Sequence, residues 1–318
     1  MPDKPTLRRR LFTRRNFLAA LAVAAAGGAY VRWCEPRWLK AVEVQVPLSK
    51  AARPPLRVLQ LSDFHASPVV PLEFIAESVT LGLAQKPDLI CLTGDFITHK
   101  YDRFEEYAAV LRRLSDAAPT FATLGNHDGG SWANRYSATS APSPLRKAVA
   151  DSGVKEWLKT RTTWLRHGGY PDTSNVRTML AAADIECLHN RSVELTVKGR
   201  RLTLVGTGDL WAQELDAAAA FASVKKDDER DIIVLSHNPD GKDLLKPHPW
   251  QLVLCGHTHG GQLLVPLVGE PFAPVRDHRF VKGLHEWDGR WIHVTKGVGN
   301  LHGVRFNCRP EVSLLHIT

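Results

Sequence analysis

Apolar and polar positions alternate in two rhythms along this chain. From Leu56 the short apolar run RVLQLS gives way to a segment of helical period from Pro71 to Gln85. DLICLTG follows, then a second helical segment from Tyr101 to Ala117, then FATLG. Short apolar runs separated by amphipathic segments predict strands and helices in turn, hence an α/β sheet. Each apolar run ends directly in a polar cluster: SDFH, GDFITH and GNHDGG. Ligands of open α/β sheets bind beyond the carboxyl ends of the strands. These clusters, about thirty residues apart in the chain, should therefore meet in space.

The second half keeps the habit. RSVELTVKGRRLTLVGTGD alternates like a hairpin about Gly199, and an alanine-rich helix is expected from Ala212 to Val224. DIIVLSHNPD and QLVLCGHTHGG are further strands ending in polar clusters, and WIHVTKGVGN and EVSLLHIT predict two more near the end. No repeat or low-complexity linker interrupts the chain after residue 56, so residues 41–318 read as one domain and residues 1–40 as a separate leader.

In that leader TRRNFLA precedes the apolar, small-residue stretch LAALAVAAAGGAYV. The paired Arg14-Arg15 ahead of Phe17-Leu18 resembles a twin-arginine export signal; the bland alternative is a basic membrane anchor. The apolar run, about fifteen residues, falls short of the roughly 20 that a spanning helix needs, which suits a signal core. Ala24-Ala25-Ala26 offers a small-residue cleavage site. The leader implies contact with the twin-arginine export machinery and a periplasmic or outer-face location on the inner membrane. The alternative is membrane association on the cytoplasmic side.

The charge balance changes the picture only at this end. Residues 1–40 hold nine of the 41 Lys/Arg and two of the 33 Asp/Glu, leaving 32 against 31 in the remainder. A near-neutral body exerts no global pull on nucleic acid, and none is expected as a partner. The five cysteines, Cys34, Cys91, Cys187, Cys255 and Cys308, show no paired spacing and read mostly as buried filler.

The chemistry lies in the polar clusters. Asp63, His65, Asp95, Asn126, His237, His257 and His259 offer carboxylate, amide and imidazole donors, a set that suits Mn, Fe, Zn or Mg. Any one cluster is more often a cap, a turn or a satisfied core histidine. The ordered set SDFH, GD, GNHD, SH and GHTH, each at a strand mouth, closely resembles the calcineurin-like metallophosphoesterases. GHTHGGQ and the ending GVGN...RFNCRPEVSLL look like the membrane-associated bacterial branch of that family. The resemblance implies a four-layer α-β-β-α sandwich with mixed sheets and two divalent metal ions. It assigns Asp63, His65 and His259 to one cation, Asn126, His237 and His257 to the other, and Asp95 to both. Two cations held ~3.5–4 Å apart need such a shared anion.

The resemblance also places His127 beside the metals as a catalytic group that is not a ligand. Asp128 reads either as the carboxylate that orients His127 or as a helix N-cap. The family often shows Gly-Asp-x-x-Asp where this chain has Thr98 at the second acidic position, leaving any supporting role there to Thr98 or His99. Residues 129–170 carry five Trp/Tyr interleaved with Lys and Arg. They are expected either to form a lid over the site or to pack as an amphipathic helix. The implied reaction is hydrolysis of a phosphodiester or pyrophosphate by metal-bound hydroxide attacking phosphorus. A glycolipid such as UDP-2,3-diacylglucosamine is the preferred substrate. Phosphomonoester or cell-wall phosphate hydrolysis, and a non-catalytic binding module, are the alternatives.

Overall fold

A computed structural model describes residues 13–48, 53–98, 101–128, 172–225 and 230–318. Twelve strands among these form two six-stranded sheets. The first has the order β1 (Lys40–Val46), β12 (Glu311–Ile317), β2 (Leu56–Leu61), β3 (Leu89–Thr93), β4 (Thr120–Thr123), β5 (Glu186–Cys187). The second has the order β10 (Gly283–Trp287), β11 (Arg290–Val294), β9 (Leu252–Cys255), β8 (Asp231–Leu235), β7 (Arg200–Gly206), β6 (Arg191–Val197). Both sheets are mixed: β2 to β5 are mutually parallel, as are β7, β8, β9 and β11, while β12 and β2, β6 and β7, and β10 and β11 pair antiparallel.

Helix α1 (Arg14–Ala29) precedes the sheets; α2 (Leu72–Leu83), α3 (Phe104–Ser115) and α4 (Ser174–Ala182) cover the outer face of the first sheet. In α2 the buried side chains are Leu72, Phe74, Ile75, Ser78, Val79 and Gly82, a helical stripe that meets Leu59 and Leu61 of β2. Helix α3 carries Glu105 and Glu106 in its first turn and Arg112 and Arg113 in its last, charges that complement the helix dipole. Val58, Leu89, Leu204, Ile233, Leu252 and Leu315 fill the space between the sheets, and a third cluster built on Phe221, Val234, Trp250 and Val253 covers the far face of the second sheet. The expected four-layer α/β sandwich follows. The runs in β3, β8 and β9 are buried throughout because both faces are covered.

Buried polar groups join the sheets at both ends. Near the carboxyl ends of the strands, the Gln60 amide donates to Thr93 Oγ1 (3.1 Å) and to the Cys255 carbonyl (2.9 Å), and its oxygen faces His293 Nδ1 at 2.7 Å. Burial holds the His293 pKa down to about 4, so the neutral ring donates to Gln60. At the opposite end Arg200 donates to Asp231 (2.6 Å) and to the carbonyls of Pro54 and Ile317, both at 3.1 Å.

Two expectations need correction. The alanine-rich helix shrinks to α5 (Ala217–Phe221), because the Asp209 carboxylate accepts the backbone N–H groups of Trp211 and Ala212 and winds that stretch into turns. The N-terminal helical segment is longer than its apolar run: α1 continues through a π turn and a 3-10 turn, making Arg14–Arg37 long and apolar enough to cross a membrane. Residues of this N-terminal segment also contact the body of the chain. Arg305 N–H donates to the Val31 carbonyl at 3.1 Å, Arg32 donates to the Gly303 carbonyl at 3.3 Å, and Glu35 is buried with its carboxylate accepting from the backbone of Cys308.

Candidate metal centre and cavity

Asp63, Asp95, His237 and His257 each lie two residues past the end of β2, β3, β8 and β9, and Asn126 lies three past β4. Those strands point the same way within each sheet, and the two sheets meet at this rim. Such placement needs sharp turns. Asp63 (φ 54), His65 (φ 50), Asp95 (φ 58), His257 (φ 68) and His259 (φ 51) all adopt left-handed backbone conformations. Non-glycine residues there cost on the order of 1 kcal/mol each, and such strain concentrates at functional sites. Small residues make the crowding possible. A Cβ on Gly125 would lie 2.2 Å from Asp95 Oδ1, and one on Gly256 would lie 2.3 Å from Asp63 Oδ2.

The seven expected metal residues come together and are buried. Ligand atoms of Asp63, His65, Asp95 and His259 lie within 4.8 Å of one another, as do those of Asp95, His237 and His257, so Asp95 belongs to both groups. Its Oδ2 is 3.4 Å from His65 Nε2 and 3.1 Å from His237 Nε2. His65 and His259 face each other through their Nε2 atoms at 3.0 Å, and His259 Nε2 is 3.5 Å from Asp63 Oδ1. Asn126 Oδ1 is 2.8 Å from His257 Nδ1.

The backbone fixes which ring nitrogen faces inward. His237 Nδ1 donates to the Thr93 carbonyl (2.6 Å), turning Nε2 toward Asp95, close to it but without hydrogen-bond geometry. His257 Nε2 donates to the Pro274 carbonyl (3.1 Å), which leaves Nδ1 with a lone pair facing the Asn126 oxygen. With the amide oxygen facing it, this pair of acceptors at 2.8 Å suits a shared cation. This carboxylate, amide and imidazole set, with its outer nitrogens tied to backbone carbonyls, fits divalent metal ions.

Electrostatics point the same way. Among the described residues no Lys or Arg pairs with Asp63 or Asp95. Burial, against the pull of His237, lifts the Asp63 pKa to about 7. Burial also holds His65 and His259 well below the ordinary imidazole range, and lowers His257 to about 3. For His237 burial is outweighed by Asp95, and its pKa stands well above the ordinary value. Without added positive charge Asp63 holds a proton and Asp95, itself kept ionised, holds one on His237; a cation would displace both.

A cavity of about 350 Å³ opens on this cluster. It is lined by Asp95, Asn126, His127, His257 and His259 and by the apolar residues Leu263, Phe272, Pro274, Leu301 and Val304. His127 lines the cavity with its Nδ1 at 2.8 Å from the Thr98 carbonyl and its backbone N–H on Asp95 Oδ1 (2.9 Å). Thr98 thus does bear on the site, through its main chain; His99 and the insertion at 129–170 lie outside the described residues.

The expectation that Asp128 orients His127 gives way, while the segment it would cap as a helix N-cap lies outside the described residues. The Asp128 carboxylate accepts from the backbone N–H groups of Asp95 (2.8 Å), Phe96 (2.8 Å), Gly125 (3.0 Å) and Ile97 (3.3 Å). It binds the turn carrying Asp95 to the turn carrying Asn126, and the Thr98 carbonyl takes the place at the His127 ring that Asp128 was expected to hold.

Other contributors were not visible in the sequence. Asp209 is buried near the cluster, where burial raises its pKa to about 6, and Trp211 packs edge-to-face with His257, ring centroids 4.3 Å apart. Buried Arg305 donates to the carbonyls of Lys296 (2.8 Å), Cys308 (3.0 Å) and Gly297 (3.3 Å), and at 3.5 Å to that of the expected ligand His259. Cys308 Sγ also donates to the His259 carbonyl. GTGD and RFNC were the only signals, and neither spacing betrays these partners. Cys34 is exposed, unlike buried Cys91, Cys255 and Cys308.

Comparison with known proteins agrees with this geometry. The chain is 38% identical over 312 residues to phosphodiesterase YaeI of Escherichia coli (strain K12), covering 96% of this chain and 100% of that protein. It is 26% identical to the UDP-2,3-diacylglucosamine pyrophosphatase LpxG of Chlamydia muridarum, covering 94% of this chain and 95% of the relative. It is also 26% identical to the metallophosphoesterase YkuE of Bacillus subtilis (strain 168), over 96% of each. Residues 56–261 match the calcineurin-like phosphoesterase family, and with these relatives they establish that the chain belongs to it.

Proposed function

We propose that this chain is a two-metal hydrolase of phosphodiester or pyrophosphate bonds whose substrate is an amphiphile, a glycolipid of the UDP-2,3-diacylglucosamine kind. In this reading Asp63, His65 and His259 hold one divalent cation, Asn126, His237 and His257 hold the other, and Asp95 serves both. The observation that carries the reading is the single buried carboxylate common to two groups of inward-facing donors. The names of the phosphodiesterase and pyrophosphatase relatives support the reaction class. The apolar residues that line the cavity together with the polar cluster support an amphiphilic substrate.

When bound, the cations supply Lewis-acid charge that activates water and neutralises the phosphoryl oxygens. The protein's own groups do the rest. Asp128 holds the Asp95 turn rigid, so the shared carboxylate is positioned before substrate arrives. The Thr98 carbonyl accepts from His127 Nδ1–H, which assigns the exchangeable proton to Nε2, on a ring that lines the cavity. His127 then stabilises phosphoryl charge or delivers a proton to the departing alkoxide. The N-terminal helix supports a membrane-associated enzyme, exported by the twin-arginine machinery to the outer face of the inner membrane; the cytoplasmic face is the alternative.

Metal analysis of the purified chain, paired with assays on bis-p-nitrophenyl phosphate and p-nitrophenyl phosphate, tests this reading. Two equivalents of metal and faster diester turnover are expected. Faster monoester turnover would favour a phosphomonoesterase, and a folded, metal-loaded protein inert toward both would overturn the proposal.

A further inference from the structure

The cavity's apolar wall does not stop at its mouth. It continues into Leu263–Gly269, where Val265 and Gly269 close a tight turn through reciprocal backbone hydrogen bonds, both 2.9 Å. At the tip Leu267 is fully exposed, Val268 is 55% exposed, and Phe272 beyond them is 51% exposed. Leu267 also has φ 67, a conformation that glycine or asparagine adopts more readily. A leucine that is both conformationally disfavoured and fully exposed violates two local rules at one position. Such violations mark functional surface.

The base of this turn is joined to the N-terminal helix. Phe306 N–H donates to the Gln262 carbonyl and Leu264 N–H to the Phe306 carbonyl, both at 2.9 Å, while the adjacent Arg305 N–H donates to Val31. The base of the turn and Val31, toward the end of the helical segment, thus flank one stretch of chain, about 10 Å apart at two backbone spacings. At that end Trp33 and Trp38 are exposed, and the Arg309 guanidinium lies 4.0 Å from the Trp38 ring centroid. Exposed tryptophans with arginines at the end of an apolar helix are the composition of a membrane–water interface.

We propose that the turn at Val265–Gly269 is a second membrane contact, inserting Leu267 and Val268 into the lipid interface beside the Arg14–Arg37 helix so that the cavity opens at the bilayer surface. The partner is the lipid bilayer. A substrate with acyl chains then reaches the polar cluster while its apolar part stays along Leu263, Phe272 and the bilayer. This last statement rests on the hydrolase reading, whereas the membrane contact stands without it.

The test uses the full chain in phosphatidylethanolamine–phosphatidylglycerol vesicles, with Cys34→Ala and Cys187→Ala removing the accessible thiols. An environment-sensitive fluorophore is attached at Leu267→Cys, or at Lys198→Cys on the remote β6–β7 turn as the control. Brominated acyl chains should quench the probe at 267 about two-fold or more and leave the one at 198 unchanged. Equal quenching at both positions, or none at 267, would overturn the contact. In a second arm Leu267→Glu with Val268→Glu should slow turnover of a vesicle-embedded phosphodiester lipid about ten-fold. Metal content and turnover of soluble bis-p-nitrophenyl phosphate should not change. Undiminished turnover of the embedded lipid would refute delivery through this face. Wild-type protein inert toward the embedded lipid, the soluble diester and p-nitrophenyl phosphate alike would refute the hydrolase reading, with the quenching result still deciding the contact.

Discussion

Replacing Asp95 with asparagine isolates the charge on which the two-metal reading depends. Asparagine has nearly the shape of aspartate, tolerates φ 58 as well as any non-glycine residue, and retains an oxygen for the His127 N–H. What disappears is one negative charge shared by two groups of donors, 3.4 Å from His65 Nε2 and 3.1 Å from His237 Nε2. At an effective dielectric near 20, even a unit charge pair about 4 Å apart interacts by ~4 kcal/mol, so each divalent cation should bind at least roughly 1,000-fold more weakly. A ligand at about 1,000 times its dissociation constant stabilises the fold by ~4 kcal/mol, and each kcal/mol moves the melting temperature of a domain approaching this size by ~2–4 °C. Wild-type protein melted with metal should therefore lose roughly 10 °C or more on chelation. Asp95→Asn should melt at one temperature with or without chelator, contain little metal, and turn over substrate about 1,000-fold more slowly or less. A variant retaining two equivalents of metal and a chelator-sensitive melt would refute the argument, because the shared carboxylate would then be dispensable.

Four further outcomes follow from particular contacts. His127→Gln should lower kcat about 100-fold to 10,000-fold with metal content unchanged, which metal analysis beside steady-state kinetics will check. Asp128→Ala strands the backbone N–H groups of Asp95, Phe96 and Gly125, and should cost ~3 kcal/mol or more, read as a melting temperature lower by roughly 6–12 °C. Arg305→Met leaves buried carbonyls of Lys296, Gly297 and Cys308 without their donor; a similar loss is expected in urea denaturation, and a shift under ~1 kcal/mol would contradict the bracing role. Asp63, raised to about 7, and Asp209, raised to about 6, keep protons in the metal-free fold that the unfolded chain releases near 4. Their stability contribution is complete below that lower value and is lost as pH climbs through about 6 to 7, while bound metal favours the ionised carboxylates. The melting gap between metal-loaded and chelated protein should thus widen from about pH 5.5 to about pH 8, and a gap that narrows would refute this linkage.

The alternation of apolar runs and amphipathic segments determined the strands and most helices, because a strand covered on both faces must be apolar throughout and a helix on one face must carry a stripe. It also located the site. Asp63, Asp95, Asn126, His237 and His257 stand within three residues of the end of an apolar run, and the parallel strands place those ends together. Sequence could not order the sheets or show what each polar group touches. The sequence left Asp128 a choice of imidazole or helix, and only the approach of β3 to β4 brings it to the backbone N–H groups of Asp95, Phe96 and Ile97. The distant residues Arg305, Asp209 and Trp211 enter the site through folds of the chain that no local spacing encodes. Local pattern is set by which residues must leave water, and that was written in the chain. Hydrogen-bond partners are set by which loops end up adjacent, so the Asp128 brace, the Arg305 clamp and the joining of residues 31–37 to the catalytic body were decided by tertiary structure alone.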